Sequence, residues 1–106
     1  MAKETRKKDS VPLKITYSSH LRLRIKERLF PADYPKKVYK SAKLKLFDTA
    51  TKHNIAISKL EYAGKIRNIQ ISYDIIEKGI EIITIHPVSN KEIQRRLLIG
   101  RWKKQK

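Results

Sequence analysis

His86 closes the apolar run "IITIH" at residues 82–86 and stands directly before Pro87, where the chain turns toward a helix carrying Arg95 and Arg96. An imidazole titrates near ~6.5, so a histidine at such a corner can act as a general acid or base. It can equally be a polar strand end bonded to backbone, and both readings stand at this point. Arg67 follows the turn at Gly64. A guanidinium on a rigid strand can clamp a phosphate with paired N–H bonds, or simply be a solvated edge charge. Arg95 and Arg96 are neighbours and point about 100° apart on a helix, so only one can face the sheet. Beyond Gly100 come Arg101 and Trp102, the only tryptophan. The indole is either a cover for the core or a platform for a base, with Arg101 beside it. A second group lies nearer the N-terminus: His20, Arg24 and Arg28 recur every four residues as one helical ridge, with Glu27 spaced to pair with Arg24. Tyr73 lies on the strand after Arg67, where a tyrosine is a core residue or a site aromatic.

Other chemistries lack their residues. The chain has three glycines, Gly64, Gly79 and Gly100, and no glycine-rich phosphate loop. His20, His53 and His86 share no metal-ligand spacing, so neither a metal nor a small-molecule cofactor is expected. Cysteine is absent, which fits a reducing cytoplasm. No run approaches the length of a membrane span, and "MAKETRKKDS" has no apolar signal region. Charge is the dominant bulk feature: 26 Lys and Arg against 10 Asp and Glu give a net +16. A field of that sign draws polyanions, with nucleic acid first and an acidic protein second.

The elements that must position these residues can be read from periodicity. At 106 residues the chain suits one domain. Residues 1–10 read as a disordered basic arm, and 11–106 as a single α+β domain. Leu13, Ile15 and Tyr17 alternate as a short strand. Ser18 and Ser19 are N-cap types for a helix that runs toward Pro31. A second helix begins near "DYPKKVYK", with Tyr39, Ala42, Leu46 and Phe47 as its core face, and "DTATKHN" follows as a polar connection. Three strands come next, "IAISKLEY", "KIRNIQISYDII" and "IEIITIH", the last apolar on both sides and therefore central. Gln70, Ser72 and Asp74 make one side of the middle strand wet. Ser89 and Glu92 form a capping box, Val88 and Ile93 its staple, and Gly100 ends the final helix. The expected order is β-α-α-β-β-β-α: a sheet of about four strands with all helices on one face.

Three stretches carry a resemblance. "YSSHLRLRIKER" resembles the His-x-x-x-Arg-x-x-x-Arg opening helix of small, uncharacterised bacterial and archaeal members of the RelE/ParE toxin superfamily. "YAGKIRNIQISYDI" is similar to that superfamily's turn glycine, sheet arginine and strand tyrosine, here Gly64, Arg67 and Tyr73, and "IITIHPVSNKEIQRRLLIGRW" to its last strand and helix. The resemblance implies a RelE-like fold, metal-free cleavage of mRNA on the ribosome, and neutralisation by an acidic antitoxin protein. Arg67 matches the sheet arginine that binds phosphate; for such a cleavage His86 is the candidate proton carrier, and Arg95 or Arg96 would join Arg67 on the phosphate. Arg96, Arg101, Trp102, Tyr73, Arg24 and His20 would then hold RNA. Trp102 stands where relatives carry a tyrosine, and an indole cannot transfer a proton as a phenol does. Two other outcomes are open: a non-catalytic RNA- or ribosome-binding module, and a ParE-like protein inhibitor of a topoisomerase.

Overall fold

A computed structural model describes residues 14–105. The expected basic arm at 1–10 lies outside the described residues. The elements run β1 (Lys14–Tyr17), α1 (Ser19–Arg28), α2 (Tyr34–Ser41), β2 (Leu44–Asp48), β3 (Asn54–Tyr62), β4 (Lys65–Ile76), β5 (Gly79–Pro87), α3 (Asn90–Leu98) and β6 (Trp102–Lys104). The strands form one mixed sheet ordered β1-β5-β4-β3-β2-β6. Only β1 runs parallel to its neighbour, β5; the other pairs are antiparallel.

The class is α+β, but the expected sheet is corrected from about four strands to six. The second helix stops at Ser41 because Ala42 turns to extended backbone, φ −63° and ψ 130°. Leu44 and Leu46 then pair with Ile57 and Ile55 as strand residues. Trp102–Lys104 adds the last strand, on the far side of β2. The string "IEIITIH" is not central: among the described residues β1 alone lies outside it, and only along residues 79–82.

Helices cover both faces, not one. On the first face Leu21 of α1, Phe30 and Val38 of α2 pack on Ala56, Ile69, Ile71, Tyr73, Ile80, Ile82 and Ile85. On the second, Ile93 and Leu97 of α3 pack with Leu46, Ile55, Ile57 and Trp102. Side chains alternate along a strand, so Ile55 and Ile57 face one layer and Ala56 the other. Gln70 and Ser72 lie on the second face and are buried rather than wet; the Ser72 hydroxyl meets that of Thr84 at 2.6 Å.

Local chemistry sets the helix ends. The Ser18 hydroxyl accepts the Leu21 N–H at 3.0 Å, and α1 ends where Leu29 takes a left-handed φ of 54°. The Ser89 hydroxyl accepts the Glu92 N–H at 3.0 Å, as its cap position requires. The Glu92 carboxylate does not return the bond; it turns to Arg95 and Arg96. Among the described residues no helix is long and apolar enough to cross a membrane.

Candidate functional site

A β-bulge aims His86. Across β4 and β5, Ser72 pairs with Thr84 while Tyr73 pairs with Ile82, leaving Ile83 unmatched. One extra residue reverses the alternation beyond it. Ile82 and Ile85 thus both enter the first core. Thr84 and His86 turn to the opposite face, with Ser72 and Gln70 as their partners on β4.

Among the described residues this half of β5 has no strand on its outer side, and α1 lies there instead. Ser18 fixes the start of the helix, its N–H donating to Ile82 O at 3.0 Å. At the other end Arg28 Nη1 donates to Ile85 O at 3.4 Å. Between helix and strand is an open cleft of about 520 Å³, with His20, Arg24 and Arg28 on one wall and residues 84–87 on the other. Arg96 approaches from α3. Its guanidinium lies 5.1 Å from the Trp102 ring centre, and its Nε donates to Glu92 at 2.6 Å. Burial pushes the His86 imidazole below its ordinary pKa. The Pro87 carbonyl, 3.2 Å from Nδ1, acts against that, while Arg28, Arg96 and Arg24 push further down. His86 is therefore a neutral base ringed by three cations at neutral pH. With Nδ1–H directed to Pro87, Nε2 carries the free lone pair.

Arg28 is missing from the expected site set; the i, i+8 step from His20 is the sequence signal that points to it. His20, Arg24, His86 and Arg96 are the expected residues that the structure brings together. The remaining five do not join them. Arg67 alternates to the first face, since its neighbour Asn68 bonds Asn90 of α3 on the second, and its Nε donates to Tyr62 O at 2.9 Å. Arg95 is exposed on α3, held by Glu92 at 3.0 Å, beside Lys91 and Leu98. Tyr73 is a core residue, edge-on to Tyr39 at 5.2 Å.

Arg101 and Trp102 belong to a structural hub that sequence reading missed. Asp48, 3% exposed, accepts from Arg101 Nε at 2.9 Å, Trp102 Nε1 at 3.1 Å, and the Ala50 and Thr51 amides at 2.9 and 3.0 Å. Burial by itself would raise the Asp48 carboxyl; these four donors outweigh it and hold the group far below the usual carboxylate range. Trp102 is 1% exposed and cannot stack a base on an open face; it underlies Arg96 instead. His53 is also engaged elsewhere, with Nδ1 2.6 Å from Asp74. Among the described residues, no three His, Asp or Glu side chains gather as a metal cluster.

The arrangement can seat an anion between the α1 ridge and Arg96 and offer it one neutral imidazole. Comparison with known proteins adds no assignment: no family model matches the chain, and neither the curated proteins nor the solved structures contain a match.

Proposed function

We propose that this chain is an RNA-binding protein of the RelE/ParE toxin type, which seats a phosphodiester in the His86 cleft and cleaves mRNA on the ribosome. The observation that carries the reading is the convergence of Arg24, Arg28 and Arg96 on one neutral histidine. Carboxylates offset only part of this field: Glu27 is 3.9 Å from Arg24, and Glu92 is shared by two arginines. Donors fixed before the substrate arrives stabilise charge that develops on phosphorus without reorganising, which favours the transition state. His86 would take the 2′-hydroxyl proton, the attack giving a 2′,3′-cyclic end, and no step calls for a metal. The +16 net charge would steer RNA to the surface and leave an acidic antitoxin a surface to compete for. A cysteine-free chain suits the reducing cytoplasm where such targets are found.

One observation favours a second reading, a non-catalytic RNA- or ribosome-binding module. The His86 ring is tethered by a 3.2 Å contact to the carbonyl of its own next residue, a loose hold for a general base. Primer extension on a defined mRNA, translated in a reconstituted reaction and also run free, separates the two. Ribosome-dependent cuts that vanish with His86→Ala and weaken with Arg96→Gln are expected. No cuts, with salt-sensitive RNA binding retained, would replace cleavage by the binding module; no binding would end both readings.

A further inference from the structure

We propose that His20 and His86 work as a pair across the cleft, His86 as the base that activates the 2′-hydroxyl and His20 as the acid that protonates the departing 5′-oxygen. The inference rests on the RNA-cleaving reading above and assigns the group that reading leaves out. In the in-line displacement, O2′ approaches phosphorus as O5′ leaves from the opposite apex. A single imidazole on one wall reaches one apex, so the second proton needs a group on the other wall.

The cleft supplies one. His86 is on the β5 wall and His20 on the α1 wall. His20 is exposed in the first turn of α1, open to reprotonation from water, whereas His86 is half-buried. Arg24 and Arg28 continue the His20 ridge, about 6 and 12 Å further along at 1.5 Å per residue. They and Arg96 are placed for the non-bridging oxygens. The charged groups beside the pair are Arg24 and Arg28 from α1 and Arg96 from α3; the carboxylates nearest them, Glu27 and Glu92, are each engaged with arginine.

The protons balance. His86 Nε2 takes the proton from O2′, the O2′–P bond forms and the P–O5′ bond breaks. The His20 imidazolium gives its proton to O5′. Products are a 2′,3′-cyclic phosphate and a 5′-hydroxyl, and water restores both rings. No oxidant, reductant or further reactant enters.

The test uses an mRNA whose single cut linkage, located by primer extension, is made either with the natural 5′-oxygen or with a 5′-bridging sulfur. A thiolate leaves without protonation. His20→Ala should slow the oxygen linkage by roughly 100-fold or more, the usual worth of a general acid, and should cut the sulfur linkage near the wild-type rate. His86→Ala should slow both. If His20 supplies the proton, the pH–rate profile of His20→Ala should differ from wild type on the oxygen linkage and match it on the sulfur linkage. Retained RNA affinity in His20→Ala separates chemistry from folding. Equal slowing of both linkages by His20→Ala would make it a phosphate binder and overturn the pair. Wild-type rate in His20→Ala with His86→Ala inactive would overturn the pair and leave the proposed function standing. A wild-type protein that cuts neither linkage would remove both.

Discussion

Replacing Asp48 with alanine should remove a large share of the stability, and the hydrogen bonds say roughly how much. Trp102 Nε1–H is left inside the second core with no acceptor, at about 1–3 kcal/mol for a buried unsatisfied donor. The Ala50 and Thr51 amides lose their acceptor too, at about 1 kcal/mol each where water can replace it in part. Arg101, whose side chain is 35% exposed, returns to water for a loss of about 0–1 kcal/mol. The sum is about 4 kcal/mol, a large part of the ~5–15 kcal/mol that holds a domain together. Arg101→Ala leaves Asp48 with three N–H donors and should cost only about 0–1 kcal/mol. Urea unfolding followed by fluorescence of the single, buried Trp102 reads both variants in the core that Asp48 braces. The pH dependence gives a second check. The folded-state carboxyl is depressed, so its contribution is complete above the unfolded value near ~3.9 and is lost as the pH falls below that. Wild type and Asp48→Asn should therefore converge in stability between neutral pH and acid. Losses for Asp48→Ala and Arg101→Ala within about 1 kcal/mol of each other, on the scale of an ordinary hydrogen bond, would refute the hub. So would a gap between wild type and Asp48→Asn that does not narrow in acid.

Three more outcomes are expected. Arg24→Gln, Arg28→Gln and Arg96→Gln should each lower the slope of log affinity against log salt by ~0.7 on single-stranded RNA, while Arg67→Gln and Arg95→Gln leave it nearly unchanged; filter binding across a salt series measures this. Cleavage should fall in acid as His86 takes a proton, at a lower pH than for an ordinary histidine because burial and three arginines oppose the charge. Arg96→Met should move that limb toward the ordinary value in a pH–rate profile. Gly79→Ala would put a Cβ 1.9 Å from the Lys14 carbonyl oxygen, so β1 must leave β5. A loss of ~2 kcal/mol or more, with faster amide exchange confined first to residues 15–17, is the expected signature.

The parts of this fold with local signals were legible in the sequence. Ser18, Ser89 and Gly100 marked helix ends, and alternation marked the three-strand meander. The ridge of His20, Arg24 and Arg28 was also visible, and it became one wall of the cleft. What failed was non-local. Tyr39, Ala42 and Leu46 keep a helical spacing across a break that contains neither Pro nor Gly, so "LKLF" read as helix although it pairs with β3. Trp102–Lys104 is too short to show alternation, and its partner lies more than fifty residues upstream. Asp48 looked like part of a polar connection because nothing nearby in sequence shows that four donors converge on it. The second helical layer did leave a trace: Ile55, Ala56 and Ile57 are consecutive and apolar, which a strand exposed on one side would not need. The bulge at Ile83 left none, and it decides which way His86 points.

The parallel pairing of β1 with β5 has a consequence for how the protein is made. Lys14 meets Gly79 and Tyr17 meets Ile82, so the first described strand finds its partner only after some sixty-five further residues exist. Helix α1 follows β1 directly and docks on the same late strand. His20 is therefore translated long before the wall it faces, by roughly 3–13 s at 5–20 residues per second, and Arg96 comes later still. A nascent chain that has passed α1 already carries the basic ridge, but it has no cleft until β5 and α3 have been made. Whatever the cleft does begins only after α3 has been added.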